Sequence, residues 1–137
     1  MRRTATRKEL PLSIDRLTTN PAIGFSDAVT TSGAGRTIHV SGNVGFGDDQ
    51  KVVSGGMEAE ARATFANIET TLKALGGDMS NVVKITAFVT DLSDYGGYAK
   101  VRSEVFGDQL PASSTVQVAG LLVGAQIEIE AVAFIAG

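Results

Sequence analysis

A chain of 137 residues, 43% hydrophobic and 20% charged, has the length and balance of one ordinary globular domain, and such a domain buries roughly 68% of the surface its unfolded chain exposes. A net charge of -3 with 6% aromatic residues offers nucleic acid no basic, aromatic-laced stripe, and no apolar run nears the roughly 20 residues a bilayer needs. The absence of cysteine excludes disulfides, thiolate metal sites and thiol nucleophiles together, and a cytoplasmic location is the expectation.

The opening MRRTATRKEL is basic, but no apolar stretch follows it, so it reads as a surface tail and not as a targeting signal. Residues 1–15 form the expected flexible tail and 16–137 a single domain. AGRTIHVSG (34–42) alternates Ile38 and Val40 against Thr37, His39 and Ser41 and predicts a strand; GFSDAVTT predicts another before it, with TSGAG as the turn between them. Beyond a glycine-rich loop from Gly42 to Gly56, Ala61, Phe65, Ile68, Leu72 and Leu75 recur at intervals of four and three. That is the apolar stripe of a helix, which Gly76-Gly77 ends. VVKITAFVT sets Val83, Ile85, Ala87 and Val89 on one strand face and Lys84, Thr86, Phe88 and Thr90 on the other. A second helix runs from a cap at Asp91, Ser93 or Asp94 through Tyr95, Tyr98, Val101 and Val105 to Gly107. STVQV and QIEIEAVAFI close the chain as strands.

The order is α+β, one mixed or antiparallel sheet with two helices on one face. Its other face carries Phe88, Val132 and Phe134 among Lys84, Thr86, Glu128 and Glu130, a mixture that suits a subunit interface better than open solvent. A homo-oligomer with a ligand site at the margin of that interface is the expectation.

His39 is the sole histidine, and no metal-ligand spacing accompanies it, so it reads as a strand histidine on a polar face. SGAG and SGNVGFG match neither dinucleotide nor phosphate-loop patterns and read as turns. Ser113 and Ser114 would need a neighbouring base to act as nucleophiles, and nothing in the sequence supplies one. Glu128 and Glu130 share a strand face. They are a solvated strand face, or carboxylates paired with Lys84, Lys100 or Arg102 across an interface, or a partly buried pair in which one carboxylate orients or deprotonates a water molecule. Spacing leaves these readings open. All twelve Lys and Arg lie at or before Arg102, so the last 35 residues cannot clamp an anion by themselves.

GFSDAV, IHVSGNVGF, GGDMSNVVKITAFVTDLSDY, LPASSTVQVAGL and IEIEAVA, in this order, resemble the RidA/YjgF reactive-intermediate deaminase family from about residue 16 onward. The resemblance implies a chorismate-mutase-like fold of the bacillar type, a homotrimer with sheets turned inward, and clefts between neighbouring subunits. It implies hydrolysis of enamines and imines to carbonyl compounds and ammonia without metal or organic cofactor, and a small molecule as the partner. Glu128 matches the family's water-handling carboxylate and Thr115 a cysteine beside the reacting group. Phe25 and Ala99 match a cleft-lining tyrosine and asparagine, and Gly42 and Asn43 join the substrate-binding set. Ser113 stands where the family places the arginine that holds the substrate carboxylate. Serine cannot reproduce that bidentate pairing, so an altered substrate range is expected, with Arg36, Lys84, Lys100 and Arg102 as the cations available to replace it. The alternative is a non-catalytic trimer that binds a small metabolite or a regulatory partner in the same clefts.

Overall fold

The computed structural model describes residues 13–137. Most of the expected tail lies outside the described residues, while Ile14 and Asp15, which the sequence pattern assigns to it, open the first strand. That strand, β1 (Ile14–Leu17), pairs antiparallel with β2 (Ala28–Thr31) in a two-stranded ribbon. The sequence anticipates β2 and the TSGAG connection to the strand that follows, and the ladder partner of β2 is β1. Four residues are too few to show a period. What fixes β1 is the Arg16 guanidinium, which donates to the carbonyls of Ser80, Val82 and Leu110 at 2.8, 3.1 and 3.0 Å and moors the ribbon to the main sheet.

The main sheet has the order β3-β6-β4-β5, formed by β3 (Gly35–Asn43), β4 (Val82–Val89), β5 (Ala112–Gln117) and β6 (Ile127–Ala136). Only the β4–β5 pair is parallel, and the crossover between them is α2 (Tyr95–Phe106). The first helix, α1 (Gly56–Ala74), connects β3 to β4. Both helices share one core with Ile38, Val40, Ile85, Ala87, Val89, Ile127, Ile129, Ala131 and Ala133, so both cover the same sheet face. The α+β reading with two helices on one side of a mixed sheet holds.

In α1 the stripe Ala61, Phe65, Ile68 and Leu72 is buried as its period requires. The Phe65 ring stacks on Tyr98 with centroids 6.2 Å apart and meets Phe106 edge-on at 5.5 Å. The helix ends as expected: the amide of Gly77 donates to the Leu72 carbonyl and that of Gly76 to Lys73, with Gly76 at φ 90. Leu75, predicted to continue the stripe, closes the helix and stays exposed, because a side chain at the cap has left the helical rotation that aims its neighbours inward. Asp91 is the cap that operates before α2. It accepts from the Ser93 amide at 2.9 Å and starts a short 3₁₀ turn, Leu92–Asp94, that leads into the helix.

In β4 the alternation predicted from Val83 is corrected at its first residue. The ladder with β6 slips between Val82 and Lys84, so Val82 enters the core and Val83 is only half-buried. From Ile85 onward the predicted faces hold. Along β6, Ile127, Ile129, Ala131 and Ala133 face the helices, and Glu128, Glu130 and Val132 the uncovered side. Phe134 shares that side but is buried at its end, its ring so close to the Gly35 backbone that a Cβ there would stand 2.9 Å from Cε2. No helix among the described residues is long and apolar enough to cross a membrane.

Candidate functional site

Alternation along β5 and β6 decides which of the predicted residues can meet within one chain. The register sets Phe88 beside both Glu128 and Val116, and Ala87 beside both Ile129 and Thr115. Glu128 therefore stands on the uncovered face, whereas Ser113 and Thr115 point to the helix side.

On the uncovered face the ladder between β3 and β6 is irregular between Val40 and Asn43. The irregularity lays the Gly42 backbone directly against the Glu128 side chain: a Cβ at 42 would overlap Oε2 and stand 2.9 Å from Cδ. Close approach, not φ, demands glycine here. Asn43 turns its amide back to the Ser41 carbonyl at 2.9 Å. Two residues along, Glu130 is exposed over a small depression of about 120 Å³ that it lines with His39, Lys84, Thr86 and Val132. Among the described residues the carboxylates of Glu128 and Glu130 pair with none of the cations proposed for them. Lys84 donates to Ser114 Oγ at 3.2 Å and Lys100 lies 3.2 Å from Glu58 on the outer surface of the helices; Arg36, weighed only as a replacement for the missing arginine, donates to the Leu75 carbonyl at the opposite edge of the sheet. Nor do three His, Asp or Glu side chains gather there where they could hold a metal ion.

On the helix side Arg102 occupies the apolar stripe of α2, four residues after Tyr98, and is 1% exposed. Its guanidinium carbon lies 5.2 Å from the ring centroids of Phe25 and Tyr98 and 5.6 Å from that of Tyr95, a cage of three aromatic faces. Nη2 donates to the Ile23 carbonyl at 3.0 Å. Among the described residues Nε and Nη1 have no hydrogen-bond partner, and neither do Tyr98 Oη and Ser113 Oγ. Burial raises the pKa of Tyr98 against the opposing influence of the Arg102 charge and of the Ser113 and Thr115 hydroxyls. These groups are thus close neighbours of Tyr98 Oη, although none meets it with the distance and angle of a hydrogen bond. Phe25 is held over the guanidinium from the loop before β2: Ser26 donates its amide to the Pro111 carbonyl at 2.9 Å and its hydroxyl to that of Leu110 at 2.6 Å. Ala99, half-buried on α2, brings only a methyl group.

Two clusters result. Glu128 and Gly42 form one; Phe25, Ser113 and Thr115 join Tyr98 and Arg102 in the other, and the sheet separates them. Sequence reasoning missed Tyr98 and weighed Arg102 only as one cation among four. The readable signal was a cation where the helical period of Tyr95, Tyr98 and Val105 calls for an apolar side chain.

A mixed four-stranded sheet with two helices on one face, an uncovered acidic face and a polar cluster at the edge strand defines an α+β protein whose candidate site residues are split between the faces of its sheet. Residues 16–135 match the family model "Endoribonuclease L-PSP". The chain belongs to this family, the RidA/YjgF family. It is 41% identical over 114 residues to a rat protein named 2-iminobutanoate/2-iminopropanoate deaminase, covering 82% of this chain and 81% of the relative. Among solved structures, RidA from the Antarctic bacterium Psychrobacter sp. PAMC 21119 is 32% identical, with a TM-score of 0.70 over 91% of this chain and 100% of that one. The YjgF product of E. coli is 31% identical, with a TM-score of 0.68 over 74% of this chain and 83% of that one.

Proposed function

We propose that the protein hydrolyses small imines, and the enamines in equilibrium with them, to carbonyl compounds and ammonia, in clefts between the subunits of a homotrimer with a chorismate-mutase-like fold. Relatives about 40% identical carry the name 2-iminobutanoate/2-iminopropanoate deaminase, which supports the reaction class. The observation that carries the reading is the Glu128 carboxylate, half-buried beside Gly42 and without a protein partner of its own among the described residues. It is free to accept a proton from water. The water oxygen bonds to the C=N carbon, the π electrons move to nitrogen, and the proton taken by Glu128 is returned to that nitrogen. Glu128 then takes the hydroxyl proton of the carbinolamine and passes it to the amine nitrogen, and ammonia leaves as the C–N bond breaks and the C=O forms. The split between the two faces supports the assembly: a second copy set against the uncovered face brings its own edge strand, with Thr115, toward Glu128. The residue at the family's arginine position is Ser113, so the range of substrates depends on which other group, if any, meets an anionic substituent.

The test is ammonia release from freshly generated 2-iminobutanoate and 2-aminoacrylate, compared between wild type and Glu128→Gln. Removal of a general base lowers kcat by about 10²- to 10⁴-fold. Undiminished turnover in Glu128→Gln, or a monomer in sedimentation equilibrium, refutes the reading. A trimer that binds such compounds while releasing no ammonia supports the non-catalytic alternative.

A further inference from the structure

Among the described residues, four buried side-chain atoms lack a hydrogen-bond partner, Tyr98 Oη, Arg102 Nε, Arg102 Nη1 and Ser113 Oγ, and they belong to three neighbouring side chains, since Arg102 and Ser113 both act on Tyr98 Oη where α2 faces β5. Buried polar atoms are nearly always paired, so a group of orphans needs an explanation. Arg102 deepens the need. It is 1% exposed, and no carboxylate among the described residues pairs with it. The aromatic cage and one bond to the Ile23 carbonyl leave Nε and Nη1 idle. A buried charge without a counter-charge is costly.

The unmet demand is specific. Nε offers one N–H and Nη1 two, with two hydroxyls beside them. All five N–H and O–H groups can donate, and the only formal charge among them is positive. That is the complement of a small anion with several lone pairs, a carboxylate above all. Its covers are the groups of the α2–β5 seam that remain partly open: Phe25, Ser113 and Thr115 are each half-buried. The loop that carries Phe25 is itself fitted to the guanidinium, since Gly24 adopts φ 83 and a Cβ there would come within 3.0 Å of Nη2.

We propose that Arg102 is the anion-binding and specificity-determining group of this protein: a guanidinium delivered from helix α2 holds a small carboxylate between Tyr98 and Ser113, so that strand β5 needs no cation of its own. The substrate class is accordingly the imino acids, with the carboxylate under the Phe25 ring, and uncharged imines are discriminated against. The proposal rests on the imine-hydrolase reading only for what else the anion carries; the site itself does not.

Binding of stable product analogues tests it without turnover. Calorimetric titration compares 2-oxobutanoate with its neutral amide. Wild type binds the acid more than tenfold more tightly than the amide, and Arg102→Met erases the preference while leaving affinity for the amide in place. A second variant covers the case in which Arg102→Met does not fold. Ser113→Asp places a carboxylate beside the idle N–H groups, and it raises the melting temperature while abolishing acid binding. Equal affinity of wild type for acid and amide overturns the proposal, as does an acid preference that survives Arg102→Met or a Ser113→Asp protein less stable than wild type. A protein that prefers the acid and releases no ammonia retains the anion site and loses the hydrolase reading; one that hydrolyses imines without acid preference does the reverse.

Discussion

Gly42→Ala separates the position of Glu128 from the stability of the fold. The added Cβ would overlap Glu128 Oε2 and stand 2.9 Å from Cδ and 3.2 Å from Cγ, so the carboxylate has to leave its place. The atoms it meets are the far end of a flexible side chain, and rotation relieves the overlap at a cost of about 0.5–1.5 kcal/mol. Gly42 is not among the positive-φ glycines, so alanine recovers part of that cost, about 0.4–1 kcal/mol, by restricting the unfolded chain. The two effects nearly cancel. A net change within about 1 kcal/mol corresponds to a shift of roughly 3–6 °C in Tm for a chain of this size. If Glu128 handles the water, displacing it lowers kcat toward the level of Glu128→Gln, about 10²- to 10⁴-fold below wild type. Thermal unfolding and ammonia release on the same preparation check both halves. Full turnover in Gly42→Ala shows that the observed Glu128 position is not the working one, and a Tm loss beyond about 10 °C shows that the glycine serves the fold.

Phe65→Ala removes a ring that is 2% exposed and packed on Tyr98 and Phe106; the cavity costs about 3–5 kcal/mol by urea unfolding, and a loss under about 1.5 kcal/mol contradicts the packing described. Asp78 has its pKa lowered first by hydrogen bonds from Ser80, so it contributes stability above its unfolded value, near pH 4, that is lost as pH falls through the folded value. Asp78→Ala also loses the capping bond to the Ser80 amide, worth about 0.5–2 kcal/mol. The variant is therefore less stable at pH 7, and the gap narrows as the pH falls below 4; a gap independent of pH refutes the assignment.

What the sequence made legible is what period alone encodes. The four- and three-residue spacing of Ala61, Phe65, Ile68 and Leu72 and the strict alternation of β6 each fix a face without reference to any other part of the chain. The ribbon of β1 and β2 was not legible, because a single guanidinium, Arg16, binds it to carbonyls more than sixty positions away. The ladder slips at Val82 and before Asn43 were not legible either, since a bulge is a relation between two strands and each strand's own pattern is silent about it.

The same limit governs the site. Glu128, Thr115 and Ser113 look like neighbours when their strands are read side by side, yet the register through Ala87 and Phe88 sends the carboxylate to one face and the hydroxyls to the other. No rotamer carries a glutamate through the sheet that bears it. A reaction that uses both groups on one substrate has to take them from two copies of the chain, and its rate then depends on association. Turnover per subunit falls on dilution through the dissociation range while circular dichroism still reports folded protein; turnover that stays constant through that range confines the chemistry to one face of one chain.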